Sequence, residues 1–176
     1  MVARISVGKN LYGALAYNQN KVDEGGAKVL SAHLLRYPED GRFRPDESVR
    51  QFLEWMPNHY RTEKPVIHIS LNPHPDDVLT DGQLAEIGRE YMQRLGYGNQ
   101  PYLVFKHEDI GRHHIHIVSL RVDSEGRKVS DKFEYRRSKE ITELLEQKYG
   151  LHPAEGRKKG EKWQLKPVDV AKGDIK

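Results

Sequence analysis

Phe105-Lys106-His107-Glu108-Asp109-Ile110-Gly111-Arg112-His113-His114-Ile115-His116-Ile117-Val118 carries four of the nine histidines of this chain. Its second half alternates His114, His116 and Val118 with Ile115 and Ile117, the period of a β-strand, in which residues two apart point to the same face. His114 and His116 therefore project together while Ile115 and Ile117 face a core. His107 arrives from the preceding segment across the polar turn Glu108–Arg112. Three neutral imidazoles from two strands suit one divalent cation and leave coordination positions for substrate. Asp109 is close enough in sequence to accept a ring N–H from one of them. A His-x-His pair alone equally fits a polar sheet face; the third histidine, the carboxylate and the apolar alternation favour the metal. Simple parity puts His107 on the face of Leu103 and Phe105, so the strand is expected to end or bulge there for the ring to reach the others.

Outward from this stretch the pattern is mixed. Met1–Val7 reads as a strand, about Leu11–Lys21 as a short helix, and Ala27–Leu35 as a second strand, with the turn-rich Tyr37–Pro45 behind it. Val49, Phe52, Leu53 and Met56 recur at helical spacing until Pro57. In Pro65–Asn72, Ile67, Ile69 and Leu71 alternate with His68, Ser70 and Asn72, giving one apolar and one polar face. Thr80-x-x-Gln83 resembles a capping box, opening a helix striped by Leu84, Ile87, Tyr91 and Leu95. Asp123–Gly126 reads as a turn, and Glu134–Tyr149 as an amphipathic helix built on Ile141, Leu144 and Leu145. The expected fold class is α+β: two helices on one face of a mostly antiparallel sheet, the other face open for nucleic acid.

Composition bounds the alternatives. The 176 residues suit one domain with a tail, and 36% hydrophobic and 31% charged content suits a soluble protein. No apolar run approaches a membrane span, and the N-terminus lacks the apolar core of a signal peptide. Zero cysteines exclude disulfides and thiolate ligands, which fits a cytoplasm. Net charge is +3, and residues 151–176, with seven basic and four acidic side chains, account for all of it. The remainder balances at 22 of each sign, so bulk charge does not argue for a nucleic-acid partner; local patches must. The expected organisation is a domain over 1–150 followed by a basic linker or tail over 151–176, the start of a longer protein.

The ordered set His107-x-Asp109-x4-His114-x-His116-Ile117-Val118 resembles the third motif of the plasmid relaxases, mobilisation nucleases among the HUH single-strand endonucleases. Val66-Ile67-His68-Ile69-Ser70-Leu71-Asn72-Pro73 resembles the strand beside the histidines in that family. The helix Gln83–Tyr91 followed by Leu95-Gly96-Tyr97 adds to the likeness, which covers roughly residues 1–150. One departure is Ser119-Leu120-Arg121, where such relaxases commonly carry Asn.

The resemblance implies a DNA strand transferase that nicks one strand at a transfer origin, through a 5′-phosphotyrosine, and later rejoins it. It implies a divalent ion, Mg²⁺ or Mn²⁺ in use, although three imidazoles suit Zn²⁺ or Ni²⁺ on affinity. It also implies origin single-stranded DNA, relaxosome accessory proteins and a secretion-system coupling protein as partners. The setting would be a bacterial cytoplasm, with transfer alongside the DNA. Tyr17, in Ala14-Leu15-Ala16-Tyr17-Asn18-Gln19-Asn20-Lys21, matches the family's first motif and is the expected nucleophile, with Lys21 one helical turn away. Tyr12 is its near neighbour. Tyr135, heading Tyr135-x-x-x-Lys139, resembles the tyrosine of rolling-circle replication initiators and carries the alternative reading; a non-catalytic nucleic-acid-binding domain is another, and a three-histidine metallohydrolase of small molecules a third. Asp109 would orient a ligand ring or accept the tyrosine proton. His68, Ser70, Lys21, Arg112, Arg121, Arg136, Arg137 and Lys139 are candidate DNA contacts.

Overall fold

The computed structural model describes residues 1–108 and 112–154. Asp109 and the tail beyond Ala154 lie outside the described residues. Five strands, β1 (Val2–Gly8), β2 (Ala27–His33), β3 (Val66–Asn72), β4 (Tyr102–His107) and β5 (His114–Leu120), form one open sheet in the order β1-β3-β5-β4-β2. Every pairing is antiparallel. Four helices, α1 (Leu11–Asp23), α2 (Pro45–Trp55), α3 (Asp81–Leu95) and α4 (Glu134–Tyr149), complete the α+β arrangement.

The element boundaries follow local chemistry. Pro45 occupies the first turn of α2, where a missing N–H costs nothing. Thr80 Oγ1 accepts from the Gln83 N–H while the Gln83 side chain accepts from the Thr80 N–H, so the expected capping box opens α3. Gly96 closes that helix at φ 104°, a left-handed conformation that glycine adopts without a Cβ penalty. Asp81, in the first turn of α3, pairs with both Lys28 on β2 and Lys106 on β4, which anchors the helix start to the sheet.

The connections explain how the faces are covered. β3 and β4 flank β5, so the intervening α3 crosses over β5. There Ile67, Ile69, Leu71, Val104, Ile115 and Ile117 pack against Leu84, Ile87, Tyr91 and Leu95, with Ile141 and Leu145 of α4 beside them. These two helices occupy the face expected of them. The other face is not wholly open. β1 and β2 are opposite edges of the sheet, so α1 must span it. Leu11, Ala14 and Leu15 of α1 and Phe52 of α2 bury Leu103, Phe105, Val118 and Leu120 in a second core.

Two expected apolar positions lie outside these cores. Leu144 and Leu53 are exposed, because the buried stripe of α4 runs through Ser138, Ile141, Thr142, Leu145 and Glu146, and that of α2 through Ser48 and Phe52. The polar members of the α4 stripe have partners. Tyr91 and Ser138 share a hydrogen bond of 2.7 Å, and the Met1 ammonium pairs with Glu146.

Gly88 marks the closest approach of α3 to the sheet, where a Cβ would lie 3.1 Å from Ile115 Cδ1 and 3.7 Å from both Ile117 Cδ1 and Val104 Cγ1. Gly88→Val adds branched bulk to this contact and is expected to cost about 1–3 kcal/mol. Thermal denaturation would read this as a lowered midpoint; a midpoint equal to the parent's would show that α3 does not seat on β5 as described.

Candidate metal centre

The register of β5 with its two neighbours assembles the histidines. His107 lies directly opposite His114, Phe105 opposite His116, and Ser70 of β3 opposite His116 from the other side. The β4–β5 register is regular through His107, where β4 ends as one of the two expected alternatives had it, without a bulge. The parity problem disappears because Leu103 and Phe105 do share the histidine face, where α1 and α2 bury them. One face is thus apolar at one end and imidazole-lined at the other.

The three rings converge closely. Ring centroids are 5.3 Å apart for His107 and His114, 3.9 Å for His107 and His116, and 4.9 Å for His114 and His116. Each ring offers one nitrogen such that all three nitrogens lie within 4.8 Å of one another. All three residues are buried. Burial, reinforced by the neighbouring His68, His107 and His114, holds His116 well below the usual imidazole range, so it is neutral and keeps a lone pair at physiological pH. Its Nε2 is buried and has no hydrogen-bond partner among the described residues. A neutral ring with a buried, unpartnered nitrogen beside two other imidazoles fits a divalent cation.

Two further side chains hold the rings from behind. His116 Nδ1 and His68 Nε2 are 3.1 Å apart. With Nε2 of His116 turned to a cation, its Nδ1–H donates to His68. Burial, then repulsion from His107, lowers the His68 pKa to about 3, so His68 is a neutral acceptor. His107 Nε2 lies 2.7 Å from Asn18 Oδ1. Asn18 donates its own Nδ2–H to the Ala14 carbonyl at 2.8 Å, which leaves Oδ1 as the acceptor and makes His107 Nε2 the donor.

The candidate nucleophiles separate by position. Tyr17 is half-buried on α1, its ring nearly parallel to that of His107 (18°) with centroids 6.2 Å apart. Lys21 Nζ sits 5.9 Å from the Tyr17 centroid, so the two share a helix face as expected. Tyr12 is exposed in the first turn of α1. Tyr135 is exposed near the start of α4, the helix that packs on the opposite face of the sheet.

The expected DNA contacts divide as well. His68 and Ser70 do not form a solvated face: both are buried, and the Ser70 hydroxyl accepts from Asn72 Nδ2 at 3.2 Å. Arg121 donates to the Lys64 carbonyl and pairs with Asp131. Arg137 donates to the carbonyls of Leu95, Ser130 and Lys132. Arg136 lies 4.5 Å over the Phe133 ring, and Lys139 is exposed on α4. None of these four is brought to the histidines, because they follow the far end of β5 or ride on the helix of the other face. Arg112, exposed two residues before His114, is the guanidinium beside the cluster. Asp109 lies outside the described residues.

Asn18 is the member that sequence reasoning missed. Its signal was present: an asparagine, a poor residue for a helix interior, falls on the buried stripe of Leu11, Ala14 and Leu15.

The family model described as "Relaxase: MobA/VirD2-like, nuclease domain" matches residues 17–151. A search of curated proteins gave no match.

If His68 orients His116, His68→Phe keeps the ring volume but removes the acceptor. The Co²⁺ dissociation constant is then expected to rise about 10- to 100-fold, with partial recovery in His68→Gln. Titration by Co²⁺ absorbance checks this, and an affinity equal to the parent's would sink the orienting role.

Proposed function

The chain belongs to the MobA/VirD2-like relaxases, through their nuclease domain, and we propose that it nicks and rejoins one strand of DNA at a transfer origin with Tyr17 as nucleophile. The observation that carries this reading is the Tyr17 ring packed along His107, at the edge of three buried histidines that could hold a metal ion.

In the proposed reaction Tyr17 Oη bonds to phosphorus, the P–O3′ bond breaks, and the 3′ oxygen leaves to become a hydroxyl. The phenolic proton must be taken up as the bond forms, and Asp109 is the proposed acceptor. The product is a 5′-phosphotyrosine with a free 3′-OH. Attack by a 3′-OH on that linkage regenerates the phosphodiester and the phenol, so the covalent step conserves the bond for rejoining. His107, His114 and His116 would hold a divalent ion, which when bound would supply Lewis-acid neutralisation of phosphate charge. Mg²⁺ or Mn²⁺ is the proposed ion in use, and Zn²⁺ or Ni²⁺ are chemically suited to the same three rings.

The chain's own contribution is positional. α1 crosses the sheet and brings Tyr17 to the histidine end, while Asn18, the next residue, holds the His107 ring from the same helix. Lys21, one turn further on, places its ammonium 5.9 Å from the Tyr17 ring centroid, where a positive charge attracts phosphate. The initiator reading would require Tyr135, which is on α4 across the sheet from the histidines. Proposed partners are origin single-stranded DNA, relaxosome accessory proteins and a coupling protein, in a bacterial cytoplasm and in conjugative mobilisation.

Incubation with labelled single-stranded oligonucleotides from the transfer region of its own element, plus Mn²⁺, is expected to give a covalent protein–DNA adduct on denaturing gels. Tyr17→Phe should abolish it, while Tyr12→Phe and Tyr135→Phe retain it. Loss only in Tyr135→Phe would move the protein to the initiator class. An absence of adduct in the parent despite bound metal would remove the strand-transfer chemistry altogether.

A further inference from the structure

A small open cleft lies beyond the histidines toward the β1 edge, and the chemistry above does not use it. Arg4, Asn72 and Arg112 line it, together with the apolar walls of Val2, Pro73 and Pro75. Its position follows from strand register. His116 of β5 is opposite Ser70 of β3, and Ser70 is opposite Arg4 of β1, so the three form one row across the sheet. Adjacent strands are about 4.8 Å apart, which puts the Arg4 backbone about 10 Å from that of His116. Arg112, two residues before His114, also lines the cleft.

The charges here are not compensated. Neither Arg4 nor Arg112 pairs with a carboxylate among the described residues, in contrast to Arg44, Arg89, Arg121 and Arg127. Arg4 Nε is moreover buried without a hydrogen-bond partner among them. Leaving a guanidinium N–H in that state costs free energy unless a ligand satisfies it. Asn72 is fixed at the cleft wall by donating to the Val2 carbonyl and to Ser70 Oγ, each at 3.2 Å. Two guanidiniums over proline and valine walls match an anionic group joined to a flat, weakly polar body. A phosphate carrying a sugar and a base has that chemistry, and guanidinium forks match phosphate oxygens in shape.

We propose that this cleft is a nucleotide subsite, in which Arg4 and Arg112 hold a backbone phosphate adjacent to the scissile one on single-stranded DNA. The proposal rests on the relaxase reading, since it places the neighbouring nucleotide relative to the histidine row. The subsite extends the strand's path from His116 over Ser70 to Arg4, and it adds Arg4, on the edge strand, to the DNA-contacting residues.

Fluorescence anisotropy with a labelled oligothymidylate in EDTA tests the subsite without any contribution from metal. Affinity is measured across a salt series for the parent, Arg4→Gln and Arg112→Ala. Each lost phosphate contact should reduce the slope of log affinity against log salt by about 0.7 and weaken binding at low salt. Arg112 is exposed, so Arg112→Ala reports even if Arg4→Gln folds poorly. Parental slopes and affinities in both variants would overturn the subsite, while adduct formation by the parent would leave the relaxase reading standing. A parent that binds no single-stranded DNA at any salt would overturn both.

Discussion

The register of β5 between β3 and β4 is the constraint on which the rest of the molecule depends. Side chains alternate faces along a strand, so a slip of one residue would move His114 and His116 into the α3 core and bring Ile115 and Ile117 to the site. Both alternatives are costly. Imidazoles would be buried among aliphatic groups, and the apolar surface of α3 would lose its partners. Ladders on both sides of β5, together with the close seating of Gly88 over Ile115, make the functional register the register that buries the core.

Strand order then does what residue spacing cannot. Placing β1 and β2 at opposite edges obliges the segment between them to cross the sheet, and that segment is α1. Its first turns bury Leu11, Ala14 and Leu15 over one half of the face, and its later turns bring Tyr17 and Asn18 to the imidazole half. A residue near the start of the chain thereby meets histidines nearly a hundred positions later. The second core is small, but it holds the tyrosine-bearing helix at a defined height above the rings.

Several polar groups on the histidine face are buried and paired, and four buried atoms there are not. His68 Nδ1 and the hydroxyl of Ser6, directly opposite it on β1, are both buried without partners among the described residues, as are His116 Nε2 and Arg4 Nε. Unsatisfied buried groups are uncommon in native folds. These four atoms occupy two neighbouring rows of the sheet, Arg4–Ser70–His116 and Ser6–His68. Burial here also keeps the imidazoles of His68 and His116 neutral, the state in which a ring nitrogen can donate a lone pair.

By itself the sequence determined the local and periodic features. These are the strand alternation around His114 and His116, the capping box at Thr80, the helices starting near Leu11 and Glu134, and the Tyr17–Lys21 face. Each depends on residues within a few positions of one another, where the periods of strand and helix apply directly. It placed His107 with the other two histidines but did not show why Leu103 and Phe105 share their face, because parity does not report that the face has an apolar half. It put His68 and Ser70 on the polar face as candidate DNA contacts but did not show them buried, since alternation separates two faces without showing what covers the second. Only the tertiary structure decided that Asn18 and His68 hold two of the rings, that Arg121 and Arg137 are taken up by backbone carbonyls, and that Tyr135 lies across the sheet. The physical reason is that strand order and helix crossings are set by long-range burial, and no local spacing encodes which distant segment will supply it.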